Sequence, residues 1–249
     1  MKIVIIGGTG LIGKKLQALL VQAGHEVVAA SPSRGVNAVT GEGLAAALAG
    51  ADVVVDVSNS PSFEDEPVLR FFTDSTRNLT AAAKAAGVRH LIALSVVGAE
   101  RLPASGYLRA KVAQETLLRE GGVPYSIVRA TQFFEFLGAI AESSVVEGAV
   151  RVTSARLQPI AADDVAQALA DRVSLVPLNG VCEIGGPQAL GLDEWMRRWL
   201  AASNDHREVV RDDAAPYFGT PLQPSSLVPA GEAWTGSTTL ASWLARQAA

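Results

Sequence analysis

Met1-Lys2-Ile3-Val4-Ile5-Ile6-Gly7-Gly8-Thr9-Gly10-Leu11-Ile12-Gly13 is the stretch that decides the fold. A run of apolar, mostly β-branched residues stops at glycines, and apolar residues at helical spacing follow through Leu16, Leu19 and Leu20. That pattern predicts a buried strand, a tight turn and a helix. The glycines fit both Gly7-x-x-Gly10-x-x-Gly13 and Gly8-x-Gly10-x-x-Gly13. In such a turn the first glycines let the backbone approach a pyrophosphate, and the last lets the helix pack on the strand. The phosphates then meet free N–H groups and the positive end of the helix dipole. Gly7, Thr9, Gly10, Leu11, Ile12 and Gly13 are therefore candidate dinucleotide-binding residues. The alternative is a glycine-rich turn with no ligand.

The rest of the chain narrows the classes. Its 249 residues suffice for one large α/β domain, or one domain with an appendage. Hydrophobic residues make up 49%, enough for a sizeable core. The net charge of −4, without basic blocks, argues against nucleic acid as a partner. No apolar run reaches membrane-spanning length, so no membrane partner is expected. The first strand starts at Lys2, which reads as part of the fold and not as a signal peptide. A single cysteine, Cys182, excludes an internal disulfide and makes the cytoplasm the expected compartment. His25, His90 and His206 are scattered, so no metal site is expected. A small-molecule substrate is the partner these features leave; the oligomeric state is not readable.

Residues 25–30 predict a second strand. In dinucleotide-binding units an acid near the end of this strand accepts from the adenosine 2′-hydroxyl and favours NAD, whereas an arginine suits a 2′-phosphate. Here the segment reads Ser31-Pro32-Ser33-Arg34-Gly35, with no acid. Two hydroxyls and a guanidinium suit a phosphate, so Ser31, Ser33 and Arg34 predict NADP, with NAD possible and a solvated polar turn as the alternative. Residues 52–57 form a third strand ending in Ser58 and Asn59. These two lie near the adenine or ribose, or else in an ordinary turn. A helix over residues 67–86 carries Leu69, Phe72, Leu79 and Ala83 on its apolar face. Residues 88–94 form the next strand, with Ser95 at its C-terminal end. The following helix places Tyr107 and Lys111 four apart on one face. An ammonium close to a phenol lowers the phenol's pKa and suits it to proton transfer, with Ser95 orienting the substrate oxygen or the phenol. Tyr-x-x-x-Lys alone more often marks a solvated helix face; its placement after a strand-end serine gives it weight.

Taken together, Gly7-Gly8-Thr9-Gly10-Leu11-Ile12-Gly13, Ser95 and Tyr107-x-x-x-Lys111 resemble a short-chain dehydrogenase/reductase. The glycine spacing and short chain resemble the atypical, NmrA-like branch. Supporting stretches are residues 75–79, 122–129, 158–166 and 183–187, so the resemblance covers about residues 1–200. It implies a doubly wound (Rossmann) parallel sheet, a nicotinamide cofactor and a pocket built from C-terminal segments. It also implies Tyr107 as catalytic acid/base, Lys111 as its partner and ribose ligand, and Ser95 as the assisting hydroxyl. Ala130 departs from the pattern, since many members have proline after the preceding arginine. Many NmrA-like members also lack the tyrosine or serve as redox sensors.

Past the strand at residues 125–129, Ala130-Thr131-Gln132-Phe133-Phe134-Glu135-Phe136 would face the nicotinamide. Phe133 and Phe134 are candidate walls of an apolar substrate pocket, with Gln132 as its polar group; a helix start packed on the core is the alternative. Asp163 and Asp164 are placed to cap a helix over residues 165–173. Cys182 reads as packing, and Trp195 and Trp199, on a helix over residues 192–202, as core. After Asn204 prolines and glycines break the chain into loops before a last helix near Trp243.

The expected fold is α/β: a doubly wound parallel sheet of six or seven strands with a small C-terminal substrate-side lobe. Residues 1–150 are the dinucleotide-binding domain. Residues 151–249 complete the fold and cap the crevice, or form a structural tail. The expected function is an NADP(H)-dependent oxidoreductase acting on a small carbonyl compound or quinone. The alternative is a non-catalytic dinucleotide sensor of NmrA-like type. An epimerase or dehydratase that retains its cofactor is a third, weaker option.

Overall fold

The computed structural model describes residues 1–247, and it turns the apolar runs of the sequence into a parallel sheet. The strands are β1 (Lys2–Ile6), β2 (Glu26–Ala30), β3 (Val53–Asp56), β4 (His90–Val96), β5 (Tyr125–Ala130), β6 (Val145–Val146), β7 (Ala149–Val152), β8 (Arg156–Leu157), β9 (Gly180–Gly185), β10 (Leu190–Gly191), β11 (Val209–Arg211) and β12 (Trp234–Thr235). The α-helices are α1 (Leu11–Gln22), α2 (Leu44–Leu48), α3 (Asp65–Ala85), α4 (Gly106–Glu120), α5 (Leu137–Ser143), α6 (Ala162–Val173), α7 (Leu192–Ala202) and α8 (Leu240–Gln247). The main sheet has seven strands in the order β12-β9-β5-β4-β3-β1-β2. Every neighbouring pair in it is parallel. Because β1 lies between β2 and β3, the chain reverses its direction of winding there. A crevice opens at the C-terminal ends of the strands beside that switch point.

Both faces of the sheet are covered, which is why its strands are apolar throughout instead of alternating. Ile3, Ile5, Val53, Val55 and Ile92 face α1 and α6, meeting Leu16, Leu20, Val165 and Leu169. Val4, Val54, Leu91, Ala93 and Ile127 face the other way, against Leu44, Leu79, Ala83 and Leu118 of α2, α3 and α4. A separate core, built on Phe134, Leu157, Trp195, Met196 and Trp243, fills the C-terminal lobe. Two small sheets frame that lobe, β11-β7-β6 and β10-β8. Residues beyond 150 therefore do two jobs: β9 and β12 extend the main sheet and α6 covers one face of it, while β8, β10, β11, α7 and α8 belong to the lobe.

Two local expectations need correction. The buried stripe of α3 runs through Val68, Phe72, Thr76, Leu79 and Ala83, and Leu69 is 42% exposed. The helix begins at Asp65, so Pro67 sits in the first turn, where its missing N–H costs nothing. Asp163 and Asp164 do not cap α6, which starts at Ala162 and puts both acids inside its first turn. Glu135 takes the capping role instead, accepting from the Ala162 N–H at 3.2 and 3.3 Å. Asp163 is free to pair with Lys15 of α1 at 2.6 Å. Asp164 accepts from both the N–H and the hydroxyl of Thr238 at 2.9 Å, holding the start of the last segment.

Candidate active site

The glycine turn is shaped by close backbone contacts. Gly7 has φ +81°, and a Cβ there would lie 2.8 Å from the Ser58 N, so the β1–α1 turn rests directly on the loop after β3. A Cβ on Gly13 would lie 2.3 Å from the Gly7 carbonyl oxygen, which ties the start of α1 to the same turn. The N–H groups of Gly7 and Gly8 both donate to the Ala30 carbonyl, at 3.0 and 3.1 Å. Gly10 is the N-cap of α1 and offers no side chain. The N–H groups of Leu11, Ile12 and Gly13 thus have no intrahelical partner, the arrangement that receives an anion. Thr9 is half-buried beside them, Leu11 is exposed and Ile12 is buried.

At the end of β2, Pro32–Arg34 forms a single 3₁₀ turn. It brings the Ser31 and Ser33 hydroxyls within 3.0 Å of each other. Ser31 is buried and Arg34 exposed. Among the described residues Arg34 has no ion-pair partner, so its guanidinium is available. Across the crevice, Ser58 is half-buried and donates its hydroxyl to Asp56 Oδ1 at 2.6 Å, and Asn59 is exposed.

Tyr107, Lys111 and Ser95 come near one another, but each is held differently. Tyr107, in the first turn of α4, packs between the rings of Phe63 (centroids 5.5 Å apart) and Phe72 (6.0 Å). Its hydroxyl makes no hydrogen bond to the described residues. Burial pushes the phenol up to about 12, opposite to the direction the Tyr-x-x-x-Lys spacing predicts. The Lys111 ammonium is committed to other partners. It donates to the Leu94 carbonyl at 2.8 Å and to Gln114 Oε1, and it lies 4.3 Å from the centroid of the Phe72 ring. Burial pulls Lys111 down to about 8, against the opposing charges of Asp56 and Glu115. Ser95 is buried and donates to Glu115 Oε1 at 2.7 Å, so its proton is directed away from Tyr107.

Beyond β5, the amide oxygen of Gln132 is buried without a hydrogen-bond partner among the described residues. Phe133 is half-buried and stacks on Phe136 at 5.5 Å and 20°. Phe134 is 0% exposed, wedged against Trp195 and Trp243, so it is lobe core with no surface to offer a substrate.

Sequence reading missed Asp56, Gln114, Glu115 and Arg129. Glu115 accepts a bidentate pair of bonds from Arg129, both at 2.8 Å, and one from Arg119 at 2.9 Å. A signal was present: Asp56 is a lone acid closing an apolar strand, and Gln114 lies one helical turn beyond Lys111. Cys182 is half-buried among apolar neighbours and burial raises its thiol, in keeping with packing. Among the described residues no cluster of His, Cys, Asp and Glu suits a metal ion, and no helix is long and apolar enough to cross a membrane.

Comparison with known proteins places these features. The profile of the NAD(P)H-binding family matches residues 7–175. A Streptomyces griseus protein, (4-alkanoyl-5-oxo-2,5-dihydrofuran-3-yl)methyl phosphate reductase, is 33% identical over 144 residues, covering 53% of this chain and 48% of its own length. The chloroplastic divinyl chlorophyllide a 8-vinyl-reductase of Cucumis sativus is 28% identical over 225 residues, covering 74% of this chain and 52% of its own. The chain spans about half the length of the curated relatives it matches. In fold it is similar to MoeE5 in complex with UDP-glucose and NAD, with a TM-score of 0.74 at 17% identity, covering 99% of this chain and 97% of that one.

Proposed function

This chain belongs to the NAD(P)H-binding family, and from that premise we propose that it is an NADP(H)-dependent oxidoreductase that reduces a small carbonyl compound or quinone. The observation that carries the reading is the pairing of two open sites at one end of the sheet. One is a glycine turn with bare N–H groups and, beside it, an arginine unpaired among the described residues; the other is a tyrosine hydroxyl with no hydrogen-bond partner among the described residues. The residues fit the dinucleotide. Gly7 and Gly13 let the turn close onto the Ser58 loop and the start of α1, and Leu11, Ile12 and Gly13 would present N–H groups to its pyrophosphate. Ser31, Ser33 and Arg34 would hold the 2′-phosphate, and Ser58 and Asn59 would border the adenosine.

A bound reduced nicotinamide supplies the hydride. Negative charge then grows on the carbonyl oxygen, which needs a donor already in place. Tyr107 is protonated at neutral pH and gives that proton. The Lys111 ammonium lies 4.3 Å from the centroid of the Phe72 ring that Tyr107 packs against, and its charge would favour the phenolate left behind. Ser95 acts through Glu115 and not on the substrate. Gln132 orients the substrate or the nicotinamide amide, and Phe133 forms an apolar wall.

The relatives named as reductases support an enzyme. The commitment of Lys111 and Ser95 to partners inside the protein favours the second reading, a dinucleotide sensor without turnover. A panel of carbonyls, quinones and activated alkenes, followed by the loss of NADPH absorbance, separates them. Alkenes belong in it because one relative is named for reducing a vinyl group. Turnover with any class supports the reductase. Intact NADPH binding with no turnover anywhere moves the assignment to the sensor.

Cofactor preference has its own test. Removing one exposed, charge-assisted contact costs about 1.5 kcal/mol, so Arg34→Ala should weaken NADP(H) roughly tenfold and leave NAD(H) nearly unchanged. Equal loss for both dinucleotides would remove the 2′-phosphate role.

A further inference from the structure

A buried ammonium is tolerated only when its N–H groups are satisfied. Lys111 is 3% exposed and has three partners: the Leu94 carbonyl, Gln114 Oε1 and the face of the Phe72 ring. Gln114 is buried too, and its orientation is dictated from both sides. Its oxygen faces the ammonium, and its Nε2 donates to Asp56 Oδ2 at 3.0 Å. Asp56, buried at the end of β3, accepts from the N–H and hydroxyl of Ser58 through its other oxygen, at 3.0 and 2.6 Å. One chain of hydrogen bonds therefore runs Ser58–Asp56–Gln114–Lys111–Leu94. It starts in the loop that the glycine turn rests on and passes through Lys111, whose ammonium also lies over the ring that Tyr107 packs against.

We propose that Asp56 and Gln114 are positioning residues that hold Lys111 below the ends of β3 and β4 and couple it to the Ser58 loop, so that a dinucleotide seated on that loop is sensed at Lys111. The coupling rests on the dinucleotide reading given above. Replacing buried charges by an apolar filling of similar volume is often neutral or stabilising, so burial of Asp56 and Lys111 is weak evidence for a role in stability. The charged groups facing Lys111 are Asp56 from β3 and Glu115 from its own helix. Glu115 is already matched by Arg129 and Arg119; α3 contributes the Phe72 ring and β4 a carbonyl. Asp56 is thus the carboxylate whose charge reaches Lys111 unspent, and Gln114 is the link that carries it.

The test is NMR of the full chain labelled with carbon-13 at the lysine Cε, with the Lys111 signal assigned by its loss in Lys111→Met. Asp56→Asn and Gln114→Met should each lower the Lys111 titration midpoint by about one pH unit, because the first removes an opposing charge and the second a hydrogen-bond acceptor of the ammonium. Saturating NADP⁺ should move the Lys111 signal in the wild type and move it severalfold less in Gln114→Met, whose glycine turn and Arg34 are untouched. If Asp56→Asn does not fold, the near-isosteric Gln114→Met carries the comparison. Unchanged midpoints in the ligand-free variants overturn the positioning role. An undiminished NADP⁺ response in Gln114→Met overturns the coupling. A wild type whose glycine-turn amides ignore NADP⁺ overturns the dinucleotide reading itself, and the coupling with it.

Discussion

Tyr107→Phe should cut turnover by about 10²–10⁴-fold, the usual contribution of a positioned acid–base group, while NADP(H) affinity stays within about twofold of wild type. The substitution removes one oxygen and keeps the ring, so the contacts with Phe63 and Phe72 survive. Among the described residues that hydroxyl makes no hydrogen bond, so its loss leaves no orphaned partner there to destabilise the fold. Because burial lifts the phenol to about 12, Tyr107 stays protonated and the reductive rate should be flat across roughly pH 6–8. The oxidative direction, which needs the phenolate, should gain as pH rises. Steady-state kinetics in both directions, beside a dinucleotide titration of the variant, measures all of this. Loss of turnover through loss of binding would show that Tyr107 is structural.

Arg129→Met should destabilise the fold by about 3 kcal/mol, the lower end for breaking a buried ion pair on one side. Glu115 has a side chain 1% exposed and accepts from Arg129 through both oxygens. Without Arg129 it keeps only Ser95 and Arg119. For a chain of this size that corresponds to a drop in Tm of roughly 6–12 °C. The pair also sets a pH dependence. Burial acts to raise Glu115, but hydrogen bonds from Arg129 and Ser95 outweigh it and hold the carboxyl below its ordinary value. A carboxylate depressed in the folded state contributes stability that is complete above the unfolded pKa and lost as pH falls through the folded one. The wild type should therefore lose stability as pH falls below about 4.5, and Arg129→Met should lose less over the same window. Thermal melts of both proteins at neutral and acidic pH check the size and the sign. A variant within about 1 kcal/mol of wild type would mean that Arg119 alone compensates Glu115.

Much of this architecture is written locally in the chain. β1, the glycine turn and α1 are legible because buried strand, tight turn and helix start each demand residue types that few other arrangements use. α7 appears at the predicted bounds because its Leu192, Trp195, Met196 and Leu200 repeat at helical spacing. The Leu69 and Asp163 misplacements differ in cause: Val68, not its neighbour Leu69, continues the stripe of Phe72, Thr76, Leu79 and Ala83, and Glu135, which supplies the cap of α6, is remote in sequence. The lobe was legible only as a change in composition, since Phe134 and Trp195 meet through packing that no periodicity records. The site was legible as positions but not as orientations. Tyr107 and Lys111 do share a helix, yet Phe72 and Gln114 decide where the ammonium points, and both act from side-chain geometry.

Parallel calorimetric titrations of the wild-type protein with NADPH and NADH test the proposed NADP(H) site. NADPH should bind saturably, at least about tenfold tighter than NADH. NADH bound as tightly as NADPH, or no heat from either, would contradict it.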